Sequence, residues 1–156
     1  MSDPLTIVRG STRLLNKPEL DWEMHGDEVH HGVYISEGSA VIETDNHFHV
    51  VYSGSSTWTD DYSLGMLTIP KSSNPLIARN WMKSQNPVFV KNAAEGVFGP
   101  GHASFTVSPD GKEHWMVYHA MNQTVQNMIC FTQIGTVNMG APNKLKNFCS
   151  CVHYLL

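Results

Sequence analysis

The sequence predicts an all-β chain, a partial β-propeller assembled from antiparallel hairpins. Short apolar or alternating runs recur along it, each closed by a Gly, Pro, Asn or Asp turn signal. No segment carries a convincing helical period. Two hairpins also form a weak internal repeat, in which Val51-Tyr52 and Val117-Tyr118 end equivalent strands at a spacing of one blade plus a long connection. Any meander of strands would mimic such a repeat, so the pattern alone leaves both readings open. The 156 residues suffice for one domain with a sizeable core. They fall short of a complete propeller, whose four-stranded blades take about 40 to 50 residues each.

The elements follow in order. Residues 32–42 read as a strand interrupted at Gly38, and Thr44-Asp45-Asn46 supplies turn chemistry before the run His47 to Tyr52. A loop from Ser53 to Asp61 leads to Tyr62 through Ile69, apolar enough for a half-buried strand ended by Pro70. Pro75 and Pro87 bracket a connection centred on Asn80-Trp81. The second hairpin pairs His102–Val107 with Trp115–Ala120 across Pro109-Asp110-Gly111, where proline presets φ and glycine accepts positive φ.

Composition narrows the function classes. Charged residues make up 15% of the chain and the net charge is −4 with no Lys/Arg run, which gives no footprint for nucleic acid or an anionic membrane. No apolar run approaches the roughly 18 residues a membrane span needs, and Met1 to Thr6 lacks the apolar region of a signal peptide. Cys130, Cys149 and Cys151 have neither zinc-knuckle nor redox spacing. Neutral, polar partners such as glycans are compatible with this balance.

Three stretches carry more chemistry than the rest: Ile35-Ser36-Glu37-Gly38-Ser39-Ala40-Val41, Phe98-Gly99-Pro100-Gly101-His102-Ala103-Ser104-Phe105-Thr106, and His114-Trp115-Met116-Val117-Tyr118-His119-Ala120. With Asp3-Pro4-Leu5-Thr6-Ile7, Asp21-Trp22-Glu23, Tyr52-Ser53-Gly54-Ser55 and Trp58-Thr59-Asp60-Asp61-Tyr62, they occur in an order that resembles glycoside hydrolase family 43, the arabinofuranosidase, arabinanase and xylosidase family. The similarity covers about residues 1 to 142, where Phe131-Thr132 and the run Gly135 to Pro142 resemble the end of a family blade with its strand entering a Gly/Pro turn, and it implies one domain over 1–142 with 143–156 as an unmatched tail. It implies two to three blades of a five-bladed propeller, an extracellular glycosidase, and an arabinan or arabinoxylan oligosaccharide of the plant cell wall as substrate.

Family enzymes act with inversion, which requires a protonated carboxyl beside the leaving oxygen and an ionised carboxylate about 6.5 to 9.5 Å away with water between. The family places its general acid in a Glu-Gly-Pro motif, which matches Glu37-Gly38, so the resemblance makes Glu37 the acid. Ser39 stands where the family has proline, which predicts a less rigid backbone around Glu37. The base and the aspartate that tunes the acid match no residue here, and the resemblance places them in blades before Met1. Asp45, Asp60 and Asp61 have no motif support as substitutes. His102 matches the histidine that family members project into the central channel beside a metal ion or water. Calcium prefers oxygen ligands, so His102 is expected to reach such an ion through a bound water.

Plainer readings stand beside these. Without the resemblance, a glutamate next to a glycine on a strand reads as a solvated edge residue, and His102 as a ring satisfied by a backbone carbonyl. Trp58 and Tyr62 have the aromatic faces that stack on sugar C–H groups, and serve equally well in a core. Trp22, Trp81 and Trp115 read as packing residues. His47, His49, His114 and His119 lack acidic or cysteine partners at ligand spacing and read as structural, His30-His31 as solvated, and Glu95-Gly96 as a loop. Asn122-Gln123-Thr124 fits the glycosylation pattern, a three-residue match that arises often by chance. The missing aspartates and Ser39 also motivate a second class of function, a non-catalytic or vestigial glycan-binding module.

Overall fold

The computed structural model describes residues 6–26, 32, 34–121, 130–138 and 146–148. Two four-stranded antiparallel sheets account for the named strands. The first runs β1 (Ser36–Glu43), β2 (His47–Gly54), β3 (Ser63–Pro70) and β4 (Met82–Lys83), in that spatial order. The second runs β5 (Phe98–Val107), β6 (His114–Met121), β7 (Cys130–Asn138) and β8 (Lys146–Phe148). Each sheet is a meander of neighbours in sequence, as expected of a propeller blade. Helix is limited to three-residue 3-10 turns at Asp21–Glu23, Ala78–Asn80 and Ala93–Glu95 among the described residues.

The expected turns form for the expected reasons. At the β1–β2 corner Thr44 N–H donates to His47 O at 3.0 Å, and its hydroxyl donates to the same oxygen at 3.2 Å. At the β5–β6 corner Ser108 Oγ accepts from the backbone N–H groups of Lys112 and Glu113 at 3.2 and 2.9 Å, while Gly111 sits at φ 73°. The strand expected over residues 32–42 forms only from Ser36. Lys146–Phe148, within the unmatched tail, pairs with β7 and completes the second blade. Asp3 to Leu5, His30-His31, Asn122 to Thr124, the Gly140 to Pro142 turn, Cys149 and Cys151 lie outside the described residues.

The two blades share one core. Val51 of β2, with Leu64 and Met66 of β3, packs with Met116, Tyr118 and Ala120 of β6. The connection between the blades joins it through Phe89, whose ring meets Tyr118 edge-on at 4.9 Å. Phe89 is itself tied to β3, because its carbonyl accepts from Leu64 N–H at 2.9 Å. On the opposite face of β2, Tyr52 stacks on Trp22 at 6.2 Å, and a Cβ at Gly65 would strike both rings. Tyr52 and Tyr118 therefore occupy the same position in successive blades. Trp22 packs as expected, whereas Trp81 and Trp115 are half-buried and donate their indole N–H groups to Pro75 O and Glu113 Oε2.

Candidate active site

The first strands of the two sheets, β1 and β5, are both bulged where they carry the sequence-predicted site residues. In β1, Glu37 pairs opposite Ser53 of β2, regular pairing lapses, and it resumes at Ala40 opposite Val51. Gly38 fills the lapse at φ 59°. In β5 the register shifts on both sides of Gly101, and His102 adopts φ 49°, a left-handed conformation uncommon for a residue with a Cβ. A bulge bends its strand and re-aims the adjacent side chains. Here the two bulges face each other, because a Cβ at Gly38 would lie 3.0 to 3.2 Å from His102 ring atoms. Buried Ser53 locks the arrangement by accepting the His102 N–H on its Oγ at 2.8 Å. Glu37 and His102, 65 residues apart in sequence, thus share one seam, with Glu37 exposed to solvent on it.

Tyr62 is corrected by the structure. Expected as a sugar-stacking platform, it is 0% exposed, so its ring presents no face to a ligand. Its hydroxyl instead donates to Glu37 Oε1 at 2.8 Å. One side of the ring lies against Gly101, where a Cβ would overlap it, and the ring stacks on His119 at 5.3 Å with planes 13° apart. Gly101→Ala is therefore expected to lower stability by about 1 to 3 kcal/mol, through overpacking against a ring that has nowhere to move. Thermal unfolding of the variant measures this directly. Trp58, on the loop between β2 and β3, is 47% exposed and keeps an open indole face. That loop is clamped to β5, since Gly99 N–H donates to Asp60 O at 3.3 Å.

His119, read from sequence as structural, belongs to the same cluster. It pairs opposite Gly101 in the β5–β6 ladder and stacks between Tyr62 and His102, the latter at 6.2 Å. Burial pushes its pKa below the usual imidazole value and neighbouring His102 adds to that, while Glu37 pulls the other way. The net direction is down, so His119 is neutral at pH 7. The legible signal was the glycine at position 101, which leaves room for a ring on the neighbouring strand. His47 and His49, on β2 of the other sheet, tilt together at 5.9 Å, with His49 Nδ1 at 2.9 Å from Thr68 Oγ1.

No three His, Cys, Asp or Glu side chains converge to hold a metal among the described residues. His102 is flanked by an imidazole and by Gly38, a donor set unlike the six to eight oxygens calcium takes. These residues alone do not make a calcium cage. The other acids are placed apart from Glu37's contacts. Asp61 is gripped by His25 at 3.0 Å and Lys91 at 3.1 Å, which outweigh burial and hold its carboxyl below the usual range. Together with Trp22 and Pro87 these three line a cleft of about 210 Å³. Asp45 is an exposed turn residue, and Glu95 ends a 3-10 turn.

Residues 1–138 match the family model described as glycosyl hydrolases family 43. The chain belongs to this family. Over 122 residues it is 43% identical to an extracellular exo-alpha-(1->5)-L-arabinofuranosidase of Streptomyces avermitilis, covering 78% of this chain and 24% of that protein. It is 40% identical over 119 residues to alpha-L-arabinofuranosidase 43 of Humicola insolens, covering 76% of this chain and 23% of that protein. The crystal structure of an alpha-L-arabinofuranosidase from Lactobacillus brevis superposes with a TM-score of 0.74 at 34% identity, covering 91% of this chain and 43% of that one. This family 43 chain thus spans about a quarter of the length of the curated relatives it matches. The two sheets are accordingly two blades of the family propeller, and β1 and β5 are their inner strands.

Proposed function

We propose that this chain supplies the general-acid side of an inverting arabinoside hydrolase, with Glu37 as the acid. The observation that carries the reading is the placement of Glu37 on the bulged inner strand of a family 43 blade, with its Oε1 hydrogen-bonded and its carboxyl open to solvent. A general acid must present its proton to the glycosidic oxygen as the bond to the sugar breaks, and an open, oriented carboxyl does that. The substrate is an arabinose-containing oligosaccharide of arabinan or arabinoxylan, met outside the cell, in keeping with relatives named as extracellular arabinofuranosidases. Trp58 is the exposed aromatic available to stack on a sugar ring. His102 would face a hydrated cation, calcium in this reading, through water.

No residue of this sequence matches the family's base, so the 156-residue chain alone is expected to bind arabino-oligosaccharides without hydrolysing them. Calorimetry and product analysis on the same preparation check both halves. A fusion that places the part of the Streptomyces avermitilis relative upstream of the matched region ahead of residue 1 is designed to add the base and the tuning aspartate that the resemblance implies, and it is expected to hydrolyse arabinosides. Hydrolysis by the unfused chain would contradict the assignment of roles. A fusion that binds the oligosaccharide but never turns it over would favour the second reading, a vestigial glycan-binding module, which Ser39 in place of the motif proline also motivates.

A further inference from the structure

Resting on the reading of Glu37 as acid, we propose that Tyr62 is a positioning residue: its phenol tethers Glu37 Oε1, leaving Oε2 as the oxygen that carries the transferable proton. Glu37 stands exposed on a bulge, where an untethered side chain samples several rotamers and loses that freedom only at a cost. Tyr62 is the opposite, fully buried and immobilised between Gly101 and the His119 ring. A neutral carboxyl offers its carbonyl oxygen as acceptor and keeps its proton on the other oxygen. With the phenol donating to Oε1, the proton sits on Oε2. When it passes to the leaving oxygen, the Oε2–H bond breaks, an O–H bond forms on the departing alcohol, and the new carboxylate remains hydrogen-bonded at Oε1.

The tether is closed into a circuit. Glu37 is held by Tyr62, Tyr62 lies on His119, His119 lies on His102, and the His102 ring packs over Gly38, the residue after Glu37. One end of the stack grips the acid's side chain and the other grips its backbone. Such a clamp does the work expected of the motif proline that Ser39 replaces, by fixing the bulge from outside the strand.

The test reads the tether directly. In the ¹³C,¹⁵N-labelled chain, three-bond couplings across the Glu37 Cα–Cβ bond are measured by NMR in the parent and in Tyr62→Phe, which deletes only the tethering hydroxyl. With the hydrogen bond at Oε1 in place the parent is expected to show the couplings of one rotamer, and Tyr62→Phe to show values averaged over several. A Glu37 side chain that keeps one rotamer in Tyr62→Phe overturns the tether. In the fusion enzyme, Tyr62→Phe is expected to reduce kcat by about 10- to 100-fold with little change in KM, as misplaced catalytic groups do. If Glu37→Gln leaves hydrolysis intact, the acid assignment fails on that assay, while the tether is judged by the couplings alone.

Discussion

Glu37→Gln in the fusion enzyme is expected to lower kcat on arabino-oligosaccharides by about 10²- to 10⁴-fold, the usual contribution of a general acid. Glutamine is nearly isosteric, and its amide oxygen still accepts from the Tyr62 hydroxyl, so the bulge and the ring stack are preserved. The loss then reports the missing proton rather than a collapsed site. The leaving group provides the internal control. An alkoxide departs only when protonated, whereas 4-nitrophenolate departs unaided, so the variant should be crippled on the oligosaccharide and much less affected on the nitrophenyl arabinoside. Steady-state kinetics on the two substrates measure the contrast. Equal losses on both would place Glu37 in binding or structure instead of proton transfer.

The largest stability effect is expected at Glu23, whose replacement by alanine should cost about 3 to 5 kcal/mol, the penalty for breaking a buried ion pair from one side. Glu23 is 0% exposed. Its Oε2 accepts from the backbone N–H groups of Glu19 and Leu20 at 2.9 Å each and from Lys83 Nζ at 2.7 Å, while Oε1 accepts the Tyr52 hydroxyl at 2.8 Å. One carboxylate thereby fastens the segment before β1 to β2 and to β4. Alanine would leave the Lys83 ammonium, itself only 14% exposed, without its partner, along with a buried phenol. At about 2 to 4 °C per kcal/mol for a chain of this size, the melting temperature should drop by roughly 10 °C.

The pH dependence has a definite sign. Burial pushes the Glu23 carboxyl up, but the Glu19 amide, Lys83, the Leu20 amide and Tyr52 together bring it below its ordinary value. Burial, and then the same pairing with Glu23, drive the Tyr52 phenol upward. A carboxyl with a depressed folded pKa binds fewer protons folded than unfolded. Its contribution is therefore present above the unfolded value of about 4.3 and is lost as pH falls through the lower folded value. The stability gap between the parent and Glu23→Ala should accordingly be full at neutral pH and shrink below about pH 4. Urea unfolding across pH 3 to 7 checks it, and a gap that stays constant would show that the ion pair carries none of the difference.

What sequence by itself determined is the material within reach of a few residues. The hairpins and their corners were legible because turn chemistry is local: Thr44 closes on His47, and Ser108 closes on Lys112 and Glu113. Family membership was legible because ordered short motifs carry it, and the strand that bears Glu37 was legible from its pattern. The roles of Tyr62, His119, Ser53 and Glu23 were decided only by tertiary structure. Each depends on contacts across large separations: 25 residues from Tyr62 to Glu37, 49 from His102 to Ser53, and 60 from Lys83 to Glu23. Nothing in the local pattern distinguishes a tyrosine that stacks on sugar from one whose hydroxyl is bonded to a glutamate. That choice is made when the second blade docks on the first, brings Gly101 and His119 against the ring, and closes it from solvent.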